Sequence, residues 1–332
     1  MSRTQMNRRR WGAAVIGSAI VGWAATAPVG QALASTWPER PVKVVVPAPA
    51  GSSLDVIVRL LGDRLKERWG QPLVVENKAG AGGMLGMDVV AKAAPDGYTL
   101  GLVVNSFSMN PSLYKGVADP LKAFDALGLV ARGSMVLVAR PALGATSLQK
   151  LVEVAKAKAD GLTYATPGNG SPQHLATALL GQAASLQLLH VPYRGSGPAV
   201  TAALSGEVDL MFMPVHTAVP FVKEGKLRAL MVSTRQRSPR LPEVPTAVEL
   251  GIQGFDVDLW YAVVAPAGLP ADVAKRLQAE VQAALGSPAV AGGFEGQGLE
   301  PIYLAPEAFN NLLRTDIARW AAVIRSARIT GD

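Results

Sequence analysis

The chain has 332 residues, 49% of them apolar and 17% charged, which suffices for packed cores over about two domains and excludes a disordered polypeptide. It contains no cysteine, which excludes a disulfide framework, a thiolate metal site and a lipid-anchoring thiol. Its net charge of +7 drops to +3 without Arg3, Arg8, Arg9 and Arg10, because residues 1–34 hold those four arginines and no acid, so a nucleic-acid partner is not expected.

Those arginines precede an apolar stretch from Trp11 to about Pro28, and Ala32-Leu33-Ala34 then supplies the small-x-small pattern that signal peptidase reads. The expected arrangement is a signal peptide over residues 1–34, cleaved after Ala34, delivering the chain to the periplasm. A membrane anchor is the alternative reading. Against it, the stretch is interrupted by Gly12, Gly17, Gly22 and Pro28 and is barely long enough to span a bilayer. Arg8-Arg9-Arg10-Trp11 is also loosely similar to a twin-arginine signal, so both export routes stay open.

The next element is the β-branched run Val42 to Val46, followed by a Pro/Gly/Ser loop and apolar residues Leu54, Ile57, Val58, Leu61 and Leu65 at helical spacing. The same order recurs: a strand from Leu73 to Glu76, a loop around Gly80 to Gly83, a helix near Leu85 to Ala94, and a strand from Thr99 to Val104. After Met135 a second set begins with the strand Val136 to Ala139, a helix near Ser147 to Lys158 and the strand Leu162 to Ala165. It continues through a helix from His174 to Gln182, a strand from Leu188 to Val191, a helix from Pro198 to Ser205 and a strand from Val208 to Phe212. Tyr261 to Ala265 reads as a strand returning to the first set, and two long helices, near Ala271 to Leu285 and Pro306 to Ala327, end the pattern. Strands alternating with helices predict an α/β fold with mainly parallel sheets flanked by helices.

In such a sheet, ligands settle beyond the carboxyl ends of the strands, where loops lead into helix N-termini. Four of these loops are rich in glycine and serine. The first runs from Pro47 to Asp55. Ser52 or Ser53 can cap the helix and Asp55 can complement its dipole; alternatively Gly51 to Ser53 present amides and hydroxyls to a carboxylate while Asp55 faces a ligand hydroxyl or amine. The second loop, Glu76 to Gly86, fails the dinucleotide fingerprint, because Gly80, Gly82 and Gly86 are spaced G-x-G-x-x-x-G and Asn105, not an acid, follows the next strand. Its glycines fit a close backbone approach or a tight turn. The third loop, Thr166 to His174, repeats the amide-plus-hydroxyl theme at Gly170 and Ser171. The fourth, Val191 to Ala199, carries Tyr193 and an Arg194 whose default place is solvent. The histidines are His174, His190 and His216; without H-E-x-x-H or G-x-S-x-G, neither a zinc site nor a hydrolase nucleophile is expected, and His174 fits an ordering role at its loop better than general-base catalysis.

At these loops the sequence resembles a known family. Trp37-Pro38-Glu39-Arg40-Pro41, the Pro47 to Asp55 loop, Val74 to Lys78 with Gly80-Ala81-Gly82-Gly83, and Ala94 to Leu100 resemble the Bug family, the TctC-like receptors of tripartite tricarboxylate transporters. Gly168-Asn169-Gly170-Ser171, His190-Val191-Pro192-Tyr193, Gly206 to Phe212, Pro242 to Thr246 and Ala265 to Gly268 continue the likeness. It departs at Ala48, where the family has an aromatic, at Ser52, where it has a glycine, and at Met213. The resemblance implies a two-lobed Venus-flytrap fold, with residues 35–135 and 259–332 in one lobe and 136–258 in the other. It also implies a small organic acid held by Ala50, Gly51, Ser52, Ser53 and Asp55, by Gly80, Ala81 and Gly82, and by Gly168, Asn169, Gly170 and Ser171. Asn105, Ser106, His174 and Tyr193 complete the candidate set. The implied role is a monomeric receptor that passes its ligand to permease subunits, with no cofactor and no catalysis; a receptor that reports ligand to a membrane sensor is the alternative. An exported enzyme would rest on fold analogy alone.

Overall fold

A computed structural model describes residues 37–331, so the signal-peptide reading of residues 1–34 lies outside the described residues. In chain order the elements are β1 (Val42–Val46), α1 (Ser53–Trp69), β2 (Leu73–Asn77), α2 (Met84–Ala91), β3 (Thr99–Val104), α3 (Ser106–Leu113) and β4 (Phe124–Ala139). There follow α4 (Leu148–Ala157), β5 (Leu162–Thr166), α5 (Pro172–Ala183), β6 (Leu188–Pro192), α6 (Ser196–Ser205), β7 (Leu210–Pro214), α7 (Val215–Lys223) and β8 (Arg228–Val232). The chain ends with β9 (Asp258–Pro266), α8 (Ala271–Leu285), α9 (Pro288–Gly296), β10 (Leu299–Leu304) and α10 (Pro306–Ala327).

The strands form two sheets sharing β4. The first has the order β2-β1-β3-β9-β4-β10 and the second β8-β4-β7-β5-β6. Strands joined through helices pair in parallel, β2 and β3 with β1, and β6 and β7 with β5. The middle of each sheet is antiparallel instead, because β4 and β9 carry the chain between sheets without a helical crossover. The fold is thus the expected two-lobed α/β architecture with mixed rather than purely parallel sheets.

Both faces of the sheets are covered, which explains the continuous apolar runs in β1 and β4. Val42, Val44 and Val46 pack with Ile57 and Leu61 of α1 and Leu277 of α8, while Val45 faces Met87 and Val90 of α2 and Phe309 of α10. In the second sheet Leu137, Tyr164 and Phe212 pack with Leu151 of α4 and Leu175 of α5. On its reverse Val136, Val138 and Met211 pack with Ala199 of α6 and Ala218 of α7.

Where the chain passes from one sheet to the other, the pairing Ser134↔Asp258 closes the first sheet and Met135↔Pro214 opens the second. Ser233, fully buried, ties this junction together. Its hydroxyl accepts the Met135 N–H (3.0 Å), its N–H donates to Met135 O (2.8 Å) and its carbonyl accepts the Val257 N–H (2.8 Å).

Candidate functional site

The first loop is set by local chemistry at the start of α1. Ser52, in an extended conformation, caps the helix by accepting the Asp55 N–H. Asp55 then turns inward, 4% exposed, and its carboxylate takes four protein donors. Arg59, one helical turn on, donates Nε and Nη2 at 3.0 Å each; Gly51 N donates at 3.0 Å and Asn77 Nδ2 at 3.2 Å. The Arg59 hydrogen bond holds this carboxyl below its ordinary pKa against the opposing effect of burial. Ser53 is hydrogen-bonded to the buried Tyr261 phenol, which burial pushes up to about 12. Ala50 and Gly51 stay exposed, and a side chain built on Gly51 would meet nothing within 4 Å, so this part of the loop faces open space.

Asn77 links the first loop to the second. At the end of β2, its Nδ2 also donates to Ala48 O at 3.1 Å. Beyond it Gly80, Ala81, Gly82 and Gly83 all have positive φ (130°, 47°, 62° and 92°), a succession that only a glycine-rich segment accepts readily. Asn110 on α3 donates to Gly82 O at 3.0 Å. A Cβ on Gly82 would lie 3.2 Å from Asn110 Oδ1 and 3.6 Å from the Tyr114 hydroxyl, so this glycine lets the loop rest on α3.

The third loop, after β5, is stitched to itself. Thr166 Oγ1 bonds both N–H and C=O of Gly168 (3.2 Å each), and Ser171 Oγ donates to Gly168 O (2.8 Å) while capping α5 at the His174 N–H (3.3 Å). His174 Nδ1 accepts the Gly170 N–H at 3.3 Å, which places its proton on Nε2. The ring is 6% exposed and stacks on His190, with centroids 3.7 Å apart. Burial, reinforced by the neighbouring imidazole, pushes His174 down to about 3; burial alone takes His190 to about 4, so both are neutral at neutral pH. Gly170 abuts α3 as Gly82 does: its Cβ would fall 2.5 Å from Leu113 and 3.8 Å from the Tyr114 hydroxyl. The loops of both lobes therefore converge on Tyr114, with Asn169 half-buried beside them.

The remaining candidates hold the frame. Asn105 is 1% exposed; its Nδ2 donates to Asp258 O (3.1 Å) and its Oδ1 accepts the Trp260 N–H (3.0 Å), fastening β3 to the start of β9. Ser106 is half-buried at the first turn of α3. The Tyr193 phenol donates to Glu207 at 2.6 Å, and its N–H donates to Thr166 O, so it braces the fourth loop on the third. Burial, followed by that carboxylate, pushes the phenol up to about 12. Sequence reasoning missed Asn77, Asn110 and Tyr114. Asn110 sits on α3 and Tyr114 is its C-cap; Phe107 to Asn110 are all buried and so show no amphipathic period.

Chemically the loops carry main-chain N–H groups and hydroxyls, of which the N–H groups of Gly51, Gly168, Gly170 and Ser171 are taken by Asp55, Thr166, His174 and the Gly168 carbonyl. The one ionised candidate, Asp55, is neutralised by Arg59. Among the described residues no group of three or more His, Cys, Asp or Glu could hold a metal ion, and no described helix is long and apolar enough to cross a membrane. The model of the family described as tripartite tricarboxylate transporter family receptor, TctC, matches residues 57–329. Protein BugT of Bordetella pertussis (strain Tohama I) is 38% identical over 318 residues, covering 94% of this chain and 96% of that protein. The solved structure of R. palustris Rpa4515 with adipate is similar at TM-score 0.81 and 32% identity, covering 89% of this chain and 99% of that one. MatC from Rhodopseudomonas palustris with bound malate follows at TM-score 0.79 and 33% identity, covering 87% and 100%. Matched by the family model over most of its length and 38% identical to BugT over nearly all of both chains, this chain belongs to the TctC family of tripartite tricarboxylate transporter receptors.

Proposed function

We propose that the chain is a periplasmic receptor, exported with cleavage after Ala34. In this reading it captures a small organic carboxylate between its lobes and delivers it as a monomer to the permease of a tripartite transporter, with no reaction of its own. Residues 35–135 with 259–332 form one lobe and 136–258 the other. The observation that carries this reading is the meeting of one glycine-rich loop from each sheet at Tyr114. It is supported by relatives solved with adipate and malate. The ligand contacts come from Ala50 to Ser53, Gly80 to Gly82, Gly168 to Ser171 and Ser106, while the N–H groups of Gly51, Ser52, Gly168, Gly170 and Ser171 are held within the protein and set the shape of the loops. Asp55, Asn105, His174 and Tyr193 position those loops through the bonds described above.

A ligand gripped by both lobes favours the closed arrangement only by its differential affinity for it. Calorimetry with malate, adipate and a panel of small mono- and dicarboxylates is expected to find a ligand bound one to one, and small-angle scattering a smaller radius of gyration at saturation. No binding across the panel, or coincident scattering curves, would sink the reading.

Asp55→Ala separates positioning from contact. Because four donors lose one acceptor, the first loop loosens, and affinity for every bound acid is expected to drop together by about tenfold. A changed ranking of acids would show instead that Asp55 touches the ligand.

A further inference from the structure

The helix α10 is rooted beside the first sheet, where Phe309 and Leu313 pack with Phe107 of α3 and Val45 of β1. Arg328 ends it in the left-handed region (φ 52°), and the turn is fixed by the Arg328 N–H on the carbonyls of Ile324 and Arg325 and by the Ile329 N–H on Ile324 O at 3.0 Å. A residue other than glycine adopts that conformation at a cost, so the contacts made beyond the turn must offset it.

Those contacts reach both lobes. Ser326, in the last turn of α10, exchanges side-chain hydrogen bonds with Gln182 of α5 (2.9 and 3.2 Å). Residues 326–330 then run along α5 and the edge strand β6, facing Gly181 and Leu188 across a cavity, while Ile329 packs half-buried against the core. At Gly331 the chain arrives at the end of α3. A Cβ there would fall against Tyr114 Cε1, 2.6 Å from Tyr114 Cδ1 and 2.8 Å from the Leu113 carbonyl. Gly331 does not have a positive φ, so close approach alone demands a glycine at this position.

Tyr114 is thereby met on three sides by backbone without side chains. Gly82 of the second loop lies along its Cε2 edge, Gly170 of the third loop lies at its hydroxyl, and Gly331 lies along its Cε1 edge. The first and last of these belong with the first sheet and the second with the other. We propose that residues 326–331 are a strap between the lobes, anchored on Tyr114, which holds the third loop against α3 and restrains opening of the cleft. That the strap gates a ligand rests on the receptor reading above; that it ties the lobes does not. Because its contacts with α5 and with Tyr114 must break when the lobes part, it favours the closed arrangement by the strength of those contacts. They are one exposed hydrogen-bonded pair and a glycine seat, so the strap slows opening without forbidding it.

Two variants of the full chain test this without any ligand. Gly331→Val drives a side chain into Tyr114 and Leu113, and Gln182→Leu removes the bonds to Ser326. Hydrogen exchange read by mass spectrometry is expected to quicken by about fivefold in the peptide covering residues 166–174 in either variant, with strand β1 unchanged. Small-angle scattering should show a larger radius of gyration than for the wild type. Both positions lie where a change leaves the cores intact, Gln182 exposed on α5 and Gly331 beyond the last helix, so both variants fold. Unchanged exchange and radius in both variants overturn the strap, and so does exchange that quickens equally in β1, which would mark general loosening. Failure of malate and adipate to bind the wild type would count against the receptor reading and leave these results standing.

Discussion

Asp209→Ala is expected to cost about 3 kcal/mol of stability, read as a lowered urea midpoint with unchanged slope. Asp209 is 3% exposed at the entry to β7 and is the hub of the second lobe's lower edge. Its Oδ1 accepts Arg140 Nε at 2.9 Å, and its Oδ2 accepts Lys158 Nζ at 2.8 Å, Thr163 N–H at 3.0 Å and Thr163 Oγ1 at 3.2 Å. Burial pushes the carboxyl up, but Lys158, the Thr163 N–H and Arg140 outweigh it and the net shift is downward. Removing the carboxylate strands these donors together. The cations are partly exposed, with side chains 29% and 42% accessible, so water takes back part of the loss and the figure stays near the low end for a broken buried pair. Asp209→Asn keeps an acceptor for Thr163 and should lose less. A loss below about 1 kcal/mol in the alanine variant would show that this hub is not needed for the lobe.

Acidification supplies the second large effect. The folded pKa values of His174 and His190, about 3 and about 4, lie below the ordinary histidine value, so the unfolded chain binds protons that the fold refuses. Stability from the neutral pair is complete above about pH 6.5 and is lost as pH falls toward 4. Asp258 acts in the opposite sense. Burial raises it to about 6 in spite of Arg132, so the fold retains a proton that the unfolded chain has shed, and its contribution is lost as pH rises through 6. A difference experiment isolates the histidine. Between pH 7 and pH 4 the wild type is expected to lose roughly 3 kcal/mol more than His174→Gln, whose amide oxygen can still accept the Gly170 N–H. Parallel pH profiles of the two proteins would refute the assignment.

What the sequence made legible was short-range. The strand Thr99–Val104 and the helices Ala271–Leu285 and Pro306–Ala327 agree with their predicted bounds, because apolar spacing and flanking Pro or Gly mark them locally. Pro111 and the four consecutive buried residues of α3 hide a helix that packs on α10. The first half of β4 carries no local strand signal because Gly128 and Gly133 interrupt it, and those glycines admit Tyr303 and Leu299 from β10, a partner remote in sequence. The same divide runs through the site. Glycine loops announce themselves, whereas the duty of Asp55 depends partly on Asn77, 22 residues away, and that of Asn105 on the backbone of residues 258 and 260.

Ser233 bonds the backbone on both sides of the passage between sheets, at Met135 and at Val257. Movement of one sheet against the other must therefore strain these bonds. The two halves of the chain also meet where Gln182 of α5 bonds Ser326 of α10. That contact is an exposed amide–hydroxyl pair, which contributes about 1 kcal/mol at most, less than a tenfold change in any equilibrium that breaks it. The exposed pair therefore yields to strain between the sheets before the buried junction at Ser233 does.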